Sequence, residues 1–345
     1  MRGSAEWPTL AVHPSQHPAR LADQVARALR SRRLPAKLHY LTPRQARRWL
    51  AVHDAYAPSS GRVAATTVAY RQLFEEVARQ LASRPVQIVS LGCGGGQKDA
   101  LLAEALVAAG CPLRYLAVDA GQALVLIAAD AVCAAAPAFK PRRLVADLEA
   151  LDQWREFIEE GGESGETQIL CAFGITPNTD ADPLIDRLAR ACAPGDQLLI
   201  NANLYDPDDP EHALRAILPQ YDNPETRRWL TTFFEDLDWD LRPEEFAFEL
   251  NDQGSPARIS ATLRLPHDLE MPADSARIGP SGGDRLEVFF TNRFRPAELS
   301  GLLDRHGFSL CQYRQTAEAA EAVWHAEWSG SRVPGGERHF GAARQ

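Results

Sequence analysis

The period of the apolar positions changes several times along the chain, and each change marks an element. Ala19 to Ser31 carry Leu21, Val25 and Leu29 at helical spacing, and Pro43 to His53 and Val63 to Ala82 read as further helices. Between the first two, Leu34 to Tyr40 read as extended around Pro35. Val86 to Leu91 form a short, nearly continuous apolar run, the pattern of a strand buried on both faces. More strands are expected at Arg114–Val118, Arg143–Val145, Gln168–Phe173 and Gln197–Leu204. Helices are expected between them at Ala100–Ala109, Gln122–Ala136, Glu149–Glu159 and Pro183–Cys192. Strand–helix alternation at this spacing predicts an α/β chain with a doubly wound parallel sheet, which takes ligands at the carboxyl ends of its strands.

The alternation breaks after Leu204. Asp206 to Pro210 are turn-rich, and helices are expected at Glu211–Leu218 and Glu225–Asp236. The runs Phe246–Leu250, Arg258–Leu265 and Arg285–Thr291 predict an antiparallel addition. A helix at Pro296–His306 and strands at Ser309–Tyr313 and Ala322–Trp328 complete the pattern. The expected partition is a Rossmann-like domain of residues 62–205 plus 293–330 and a smaller α+β domain of 18–61 plus 206–292. Residues 1–17 and 331–345 are expected to be flexible tails.

Composition narrows the function classes. The 345 residues are 45% hydrophobic and 24% charged, with a net charge of -9, which argues against a sequence-tolerant nucleic-acid surface. No apolar run approaches the roughly 18 residues of a membrane span, and the first residues lack a signal-peptide core. A cytoplasmic protein without membrane or nucleic-acid partners is expected. Its six cysteines form no C-x-x-C pair, so they read as small buried thiols in a reducing compartment. Its histidines show no metal-ligand spacing, and no metal is expected.

The chemistry gathers after the buried strand. Gly92, Gly94, Gly95 and Gly96 make a turn whose backbone can approach a ligand closely, and the helix that follows turns its free N–H groups toward it. Gln97 stands where a dinucleotide fingerprint needs its third glycine, and Lys98 lies between Gln97 and Asp99, which breaks the ATPase phosphate loop. The remaining pattern, Gly92-x-Gly94-x-Gly96 after a strand, resembles the first motif of class I methyltransferases that use S-adenosylmethionine. Asp119, at the end of the second strand, can accept ribose hydroxyl protons, and Asp147 with Leu148 can hold an adenine. Each aspartate could instead cap a helix. Lys98 can pair with the carboxylate of a methionine moiety, or stay solvated. Phe173 or Gly174 could wall a cofactor, and the Asn178 amide could orient an amine, although turn-forming asparagines are common.

Taken together, Gly92-Cys-Gly-Gly-Gly-Gln-Lys98-Asp, Asp119, Asp147-Leu148 and Gly174-Ile-Thr-Pro-Asn178 resemble the histidine Nα-methyltransferases of ergothioneine biosynthesis. The resemblance runs from about Leu34 to Trp328 and includes Tyr56, Tyr221 and Thr291-Asn292-Arg293-Phe294. It implies a two-domain enzyme with its acceptor between the domains. Gly92, Lys98, Asp119, Asp147 and Leu148 would contact S-adenosylmethionine, and Tyr56, Asn178 and Tyr221 would hold the substrate's amino and carboxylate groups. One position departs from the family. Two residues before the hydroxyl residue aligned with Thr291, the family places a carboxylate that recognises imidazole, and here Phe289 stands there. Glu287, two residues earlier, is expected on the same strand face but deeper. The expected activity is methyl transfer to the amine of a small molecule, an amino acid or an amino-acid-derived natural-product intermediate other than histidine. O- or C-methylation of a natural product or peptide, or a non-catalytic cofactor-binding subunit, are the alternatives.

Overall fold

The computed structural model describes residues 9–56, 64–137, 140–153, 155–159, 165–206, 208–209, 215, 217–268, 280–316 and 320–330. The chain opens with β1 (Ala11–Val12), α1 (Pro18–Ser31), α2 (Pro43–Tyr56) and α3 (Ala64–Gln80). The alternating part follows as β2 (Val86–Leu91), α4 (Gln97–Ala108), β3 (Leu113–Asp119), α5 (Gln122–Ala135) and β4 (Arg142–Val145). It continues as α6 (Arg155–Glu159), β5 (Thr167–Ala172), α7 (Ala181–Ala191) and β6 (Gln197–Asn203). Then come α8 (Pro224–Glu235), β7 (Phe246–Asn251), β8 (Ala257–Arg264), β9 (Arg285–Arg293), α9 (Pro296–Arg305), β10 (Phe308–Gln315) and β11 (Glu321–Trp328).

The larger sheet has eight strands in the order β1-β4-β3-β2-β5-β6-β11-β10, parallel from β1 to β6 and antiparallel at β11 and β10. β2 sits where the strand order reverses, and all six of its residues are buried. Its two polar residues are satisfied inside: Gln87 donates to the Ile158 carbonyl and Ser90 to Asp99. Both faces are covered. α3, α4 and α5 bury Leu73, Leu102 and Val125 on one side, while α7 and α9 bury Leu188 and Leu303 on the other. The three-stranded antiparallel sheet β7-β8-β9 has its own core, where Leu29, Leu34 and Leu38 meet Trp229 and Phe234 of α8 and Leu263 and Val288 of the sheet. No helix among the described residues is long and apolar enough to cross a membrane.

Several expectations need correcting. Residues 11–12 of the expected N-terminal tail are a strand, parallel to β4, and Ser15 Oγ accepts the Asp147 backbone N–H at 3.1 Å. Ala36–His39 is a 3-10 turn rather than extended chain, since Pro35 supplies only its extended N-cap. α2 continues to Tyr56, so this tyrosine ends a helix instead of lying in a loop. Most of the helix expected at Glu211–Leu218, and residues 1–8 and 331–345, lie outside the described residues.

Candidate functional site

A cavity of about 770 Å³ opens at the carboxyl ends of β2, β3, β4 and β5, beneath the smaller sheet and the N-terminal helices. That volume falls within the range of sites that enclose small ligands, roughly 300–1,000 Å³. Its floor is the glycine turn. Gly92 and Gly94 have φ of +61° and +54°, and a Cβ on Gly94 would come within 2.8 Å of the Trp49 ring. Only glycine therefore lets α2 lie over the turn at this distance. Gly96, also lining the cavity, starts α4.

Asp119 ends β3 with one carboxylate oxygen accepting from Gly94 N–H (3.2 Å) and the other from Gly121 N–H (2.8 Å). It is buried, and burial pushes its carboxyl up to about 6 against these backbone bonds. Asp147 lies two residues beyond β4. One of its oxygens accepts from the Glu149 N–H at 3.0 Å, a capping role, and the other from Lys37 Nζ at 2.5 Å. Lys37 also reaches Glu149 at 2.9 Å, so the Ala36–His39 turn closes this end of the cavity beside Leu148.

Lys98 points from α4 to a buried acid. Its Nζ lies 2.9 Å from Glu321 Oε1 and 4.6 Å from the centre of the Tyr70 ring. Tyr70 and Asn201 donate to the same oxygen. Burial alone would raise the Glu321 carboxyl, but the Lys98 charge and these donors hold it below the usual carboxylate range. Asn201 Oδ1 accepts the Gly174 N–H at 2.6 Å, linking the pair to the end of β5. Phe173 packs its ring against Tyr70 and Phe74 there.

Asn178, Tyr221, Tyr56 and Phe289, expected to hold an acceptor, also line the cavity. Asn178 Nδ2 donates to the Gly174 carbonyl at 3.0 Å. A carbonyl can only accept, so the amide orientation is fixed, and Oδ1 has no partner among the described residues. The Tyr221 hydroxyl oxygen accepts from Arg293 Nη2 (3.0 Å) and Asn203 Nδ2 (3.2 Å). The Tyr56 hydroxyl donates to Glu225 at 2.7 Å, a bond that raises its pKa. Phe289 stacks on Tyr221 and meets Trp229 edge-on, with ring centroids 6.2 and 5.5 Å away.

The cavity thus joins every residue expected to hold the cofactor or the acceptor except Thr291; Glu287, Asn292, Arg293 and Phe294 do not line it either. Thr291 is fully buried opposite Ile259, whereas Tyr221, which does line the cavity, packs against both the small cluster of Tyr205, Ile217, Ala257 and Ile259 and the one holding Phe289. Glu287 is also displaced from its expected place. A register shift between Ala261 and Thr262 inserts an extra residue in β9 and turns Glu287 onto the other face, where it pairs with Arg33 at 3.0 Å. Lys37, Trp49, His53, Thr226 and Glu321 line the cavity without a sequence motif to announce them.

A family profile described as histidine-specific, S-adenosylmethionine-dependent methyltransferase matches residues 66–327. The chain belongs to this family. Solved structures similar to it include magnesium protoporphyrin IX methyltransferase from Synechocystis with bound S-adenosylhomocysteine, at 13% identity and a TM-score of 0.41, covering 83% of this chain and 95% of that one. Another is the 1,6-didemethyltoxoflavin N1-methyltransferase of Burkholderia thailandensis, at 12% identity and a TM-score of 0.40, covering 84% and 92%. The N-methyltransferase NodS of Bradyrhizobium japonicum gives 10% identity and a TM-score of 0.39, covering 84% and 98%. No curated protein matches the chain. The methyltransferase's cofactor is S-adenosylmethionine, and the residues present suit it. The turn of β2 leaves room for backbone contact, Asp119 offers a carboxylate to a ribose, and Lys98 with Glu321 offers both charges a zwitterionic amino acid needs.

Proposed function

We propose that this methyltransferase acts on the amine nitrogen of a small acceptor, an amino acid or a compound derived from one, by direct in-line transfer. The observation that carries this is Asn178, whose oriented amide leaves one oxygen free to accept an amine N–H at the cavity wall. When bound, S-adenosylmethionine supplies a methyl group already activated on a sulfonium. The Asn178 Oδ1 takes one N–H of the neutral amine and so aims its lone pair. With the cofactor bound, that lone pair would face its activated methyl group, and the positive charge lost by the sulfonium would end on the methylated nitrogen. No covalent enzyme intermediate is needed, and holding the partners in line supplies most of the acceleration.

The rest of the cavity divides the remaining work. Tyr221 receives two N–H donors, so its single proton is left to donate to the acceptor's carboxylate. Tyr56, fixed by Glu225, borders the same region, and Phe173 and Gly174 wall the donor side. Lys98 and Glu321 would grip the carboxylate and ammonium of the donor's methionine part, Asp119 its ribose, and Asp147 with Leu148 its adenine. Trp49, lying over the glycine turn, would cover the donor on that side. Mass spectrometry of candidate amines incubated with the enzyme and S-adenosylmethionine tests the assignment. A methyl gain located on the amine by fragmentation is expected; methyl groups found only on oxygen or carbon, or no product from any amine, would overturn it.

A further inference from the structure

The wall around Phe289 holds a polar atom that no described residue satisfies. Thr226, in the first turn of α8, is 1% exposed, lines the cavity, and its Oγ1 has no hydrogen-bond partner. Two other threonines of this helix, Thr231 and Thr232, donate their hydroxyls to the carbonyls of Arg227 and Arg228, four residues back. Thr226 lies too near the helix start for that, because Asp222 precedes α8. Its own N–H is already capped by Asn223 Oδ1 at 2.8 Å, so the hydroxyl is not needed to begin the helix.

The side chains that share this corner of the cavity with the hydroxyl are aromatic. Trp229 is one turn along the same helix face, and its Nε1 is occupied by the His39 carbonyl at 3.0 Å. Phe289 meets Trp229 edge-on and stacks on Tyr221. The two nearest acids in sequence are engaged elsewhere. Glu287 faces Arg33 across the other side of β9, and Glu225 takes the Tyr56 hydroxyl and Arg228.

Resting on the reading of this cavity as a methyl-acceptor site, we propose that the Thr226–Trp229–Phe289 corner is the subsite for the acceptor's side chain. It takes an uncharged aromatic ring bearing one N–H or O–H, with Thr226 Oγ1 as that group's partner. The acceptor is therefore an aromatic α-amino acid of the indole or phenol kind. Aromatic walls favour a flat ring by stacking and edge contacts. An imidazole fits less well, because it carries two ring nitrogens and titrates near neutrality, whereas the corner offers one hydroxyl and no anion.

Calorimetry of enzyme saturated with S-adenosylhomocysteine, titrated with L-tryptophan, L-tyrosine, L-phenylalanine and L-histidine, tests the inference. L-tryptophan or L-tyrosine is expected to bind about tenfold tighter than L-phenylalanine and L-histidine, the size of one well-made hydrogen bond. Thr226→Val keeps the shape without the hydroxyl, and should bring the preferred amino acid to the L-phenylalanine level while leaving L-phenylalanine unchanged. L-histidine binding as tightly as the best aromatic, equal losses for all ligands in the variant, or no aromatic binding at millimolar concentration would overturn the subsite. The wild-type ranking decides by itself should the variant fail to fold. A preceding titration of S-adenosylhomocysteine alone separates the two layers: intact binding of it with any of these outcomes removes only the subsite, while its absence removes the cofactor assignment as well.

Discussion

Glu321 is the side chain on which the polar order of the cavity converges. It is buried, accepts from Lys98, Tyr70 and Asn201 at one oxygen, and through Asn201 is tied to Gly174. Removing the acid strands the Lys98 ammonium, itself only 15% exposed, and breaking a pair of this kind costs roughly 3–5 kcal/mol. Glu321→Gln is accordingly expected to lose stability on that scale and to bind S-adenosylhomocysteine at least about tenfold more weakly; denaturant titration and calorimetry check both. Asn178→Ala should behave differently. On the proposed reading it removes the acceptor's orienting contact together with one bond to the Gly174 carbonyl, so donor affinity is expected to change by no more than a few-fold while kcat falls about 10–100-fold in steady-state assays. The two residues also differ in how visible they are in the sequence. Asn178 lies a few positions beyond a strand end and belongs to a recognisable pattern. Glu321 is separated from Lys98 by 223 positions and from any motif, so only the antiparallel return of β11 beside β6 brings it into view. Lys37, 110 positions from Asp147, is hidden for the same reason.

At the scale of elements, the parallel strands and their helices were legible because buried strands of this kind read as unbroken apolar runs and the crossing helices keep their own period. Two devices escaped that logic. A bulge changes which face a residue occupies without changing the alternation of residue types, so the side of β9 on which Glu287 lies could not be read from spacing. A two-residue strand carries no period at all. β1 nonetheless extends the sheet beyond β4, and the Ser15 hydroxyl beside it accepts the Asp147 N–H. Deleting residues 1–16 should therefore cost stability of about 1–3 kcal/mol, the loss of a few hydrogen bonds with one buried donor left unpaired. It should also weaken S-adenosylhomocysteine binding through Asp147. A truncated protein with unaltered melting temperature and affinity would show that this segment does not support the site.

For the whole molecule, acid is the informative variable. Burial lowers His39, His53 and His325 to about 4, so the unfolded chain takes up protons below about 6.5 that the folded chain refuses until about 4. Their contribution to stability is complete above pH 6.5 and is lost as pH falls through that window. Asp99 and Asp119, raised to about 6 by burial, act in the opposite sense, favouring the fold at low pH and losing that contribution as pH rises through about 6. With three histidines against two aspartates, the melting temperature should fall between pH 6.5 and 4. His39→Phe, which keeps a ring between Trp229 and Phe233, should lessen the fall, and an unchanged slope would contradict a buried neutral imidazole. The cavity between the two sheets is what this stability preserves, and its central feature is the cradle formed by the turn at Gly92, Asp119 and the Lys98–Glu321 pair. Calorimetric titration of S-adenosylhomocysteine into wild type and Asp119→Ala tests it most directly. A saturable isotherm at micromolar concentration for wild type and at least about tenfold weaker binding for the variant are expected; no heat with wild type, or equal affinity for both, would contradict the account.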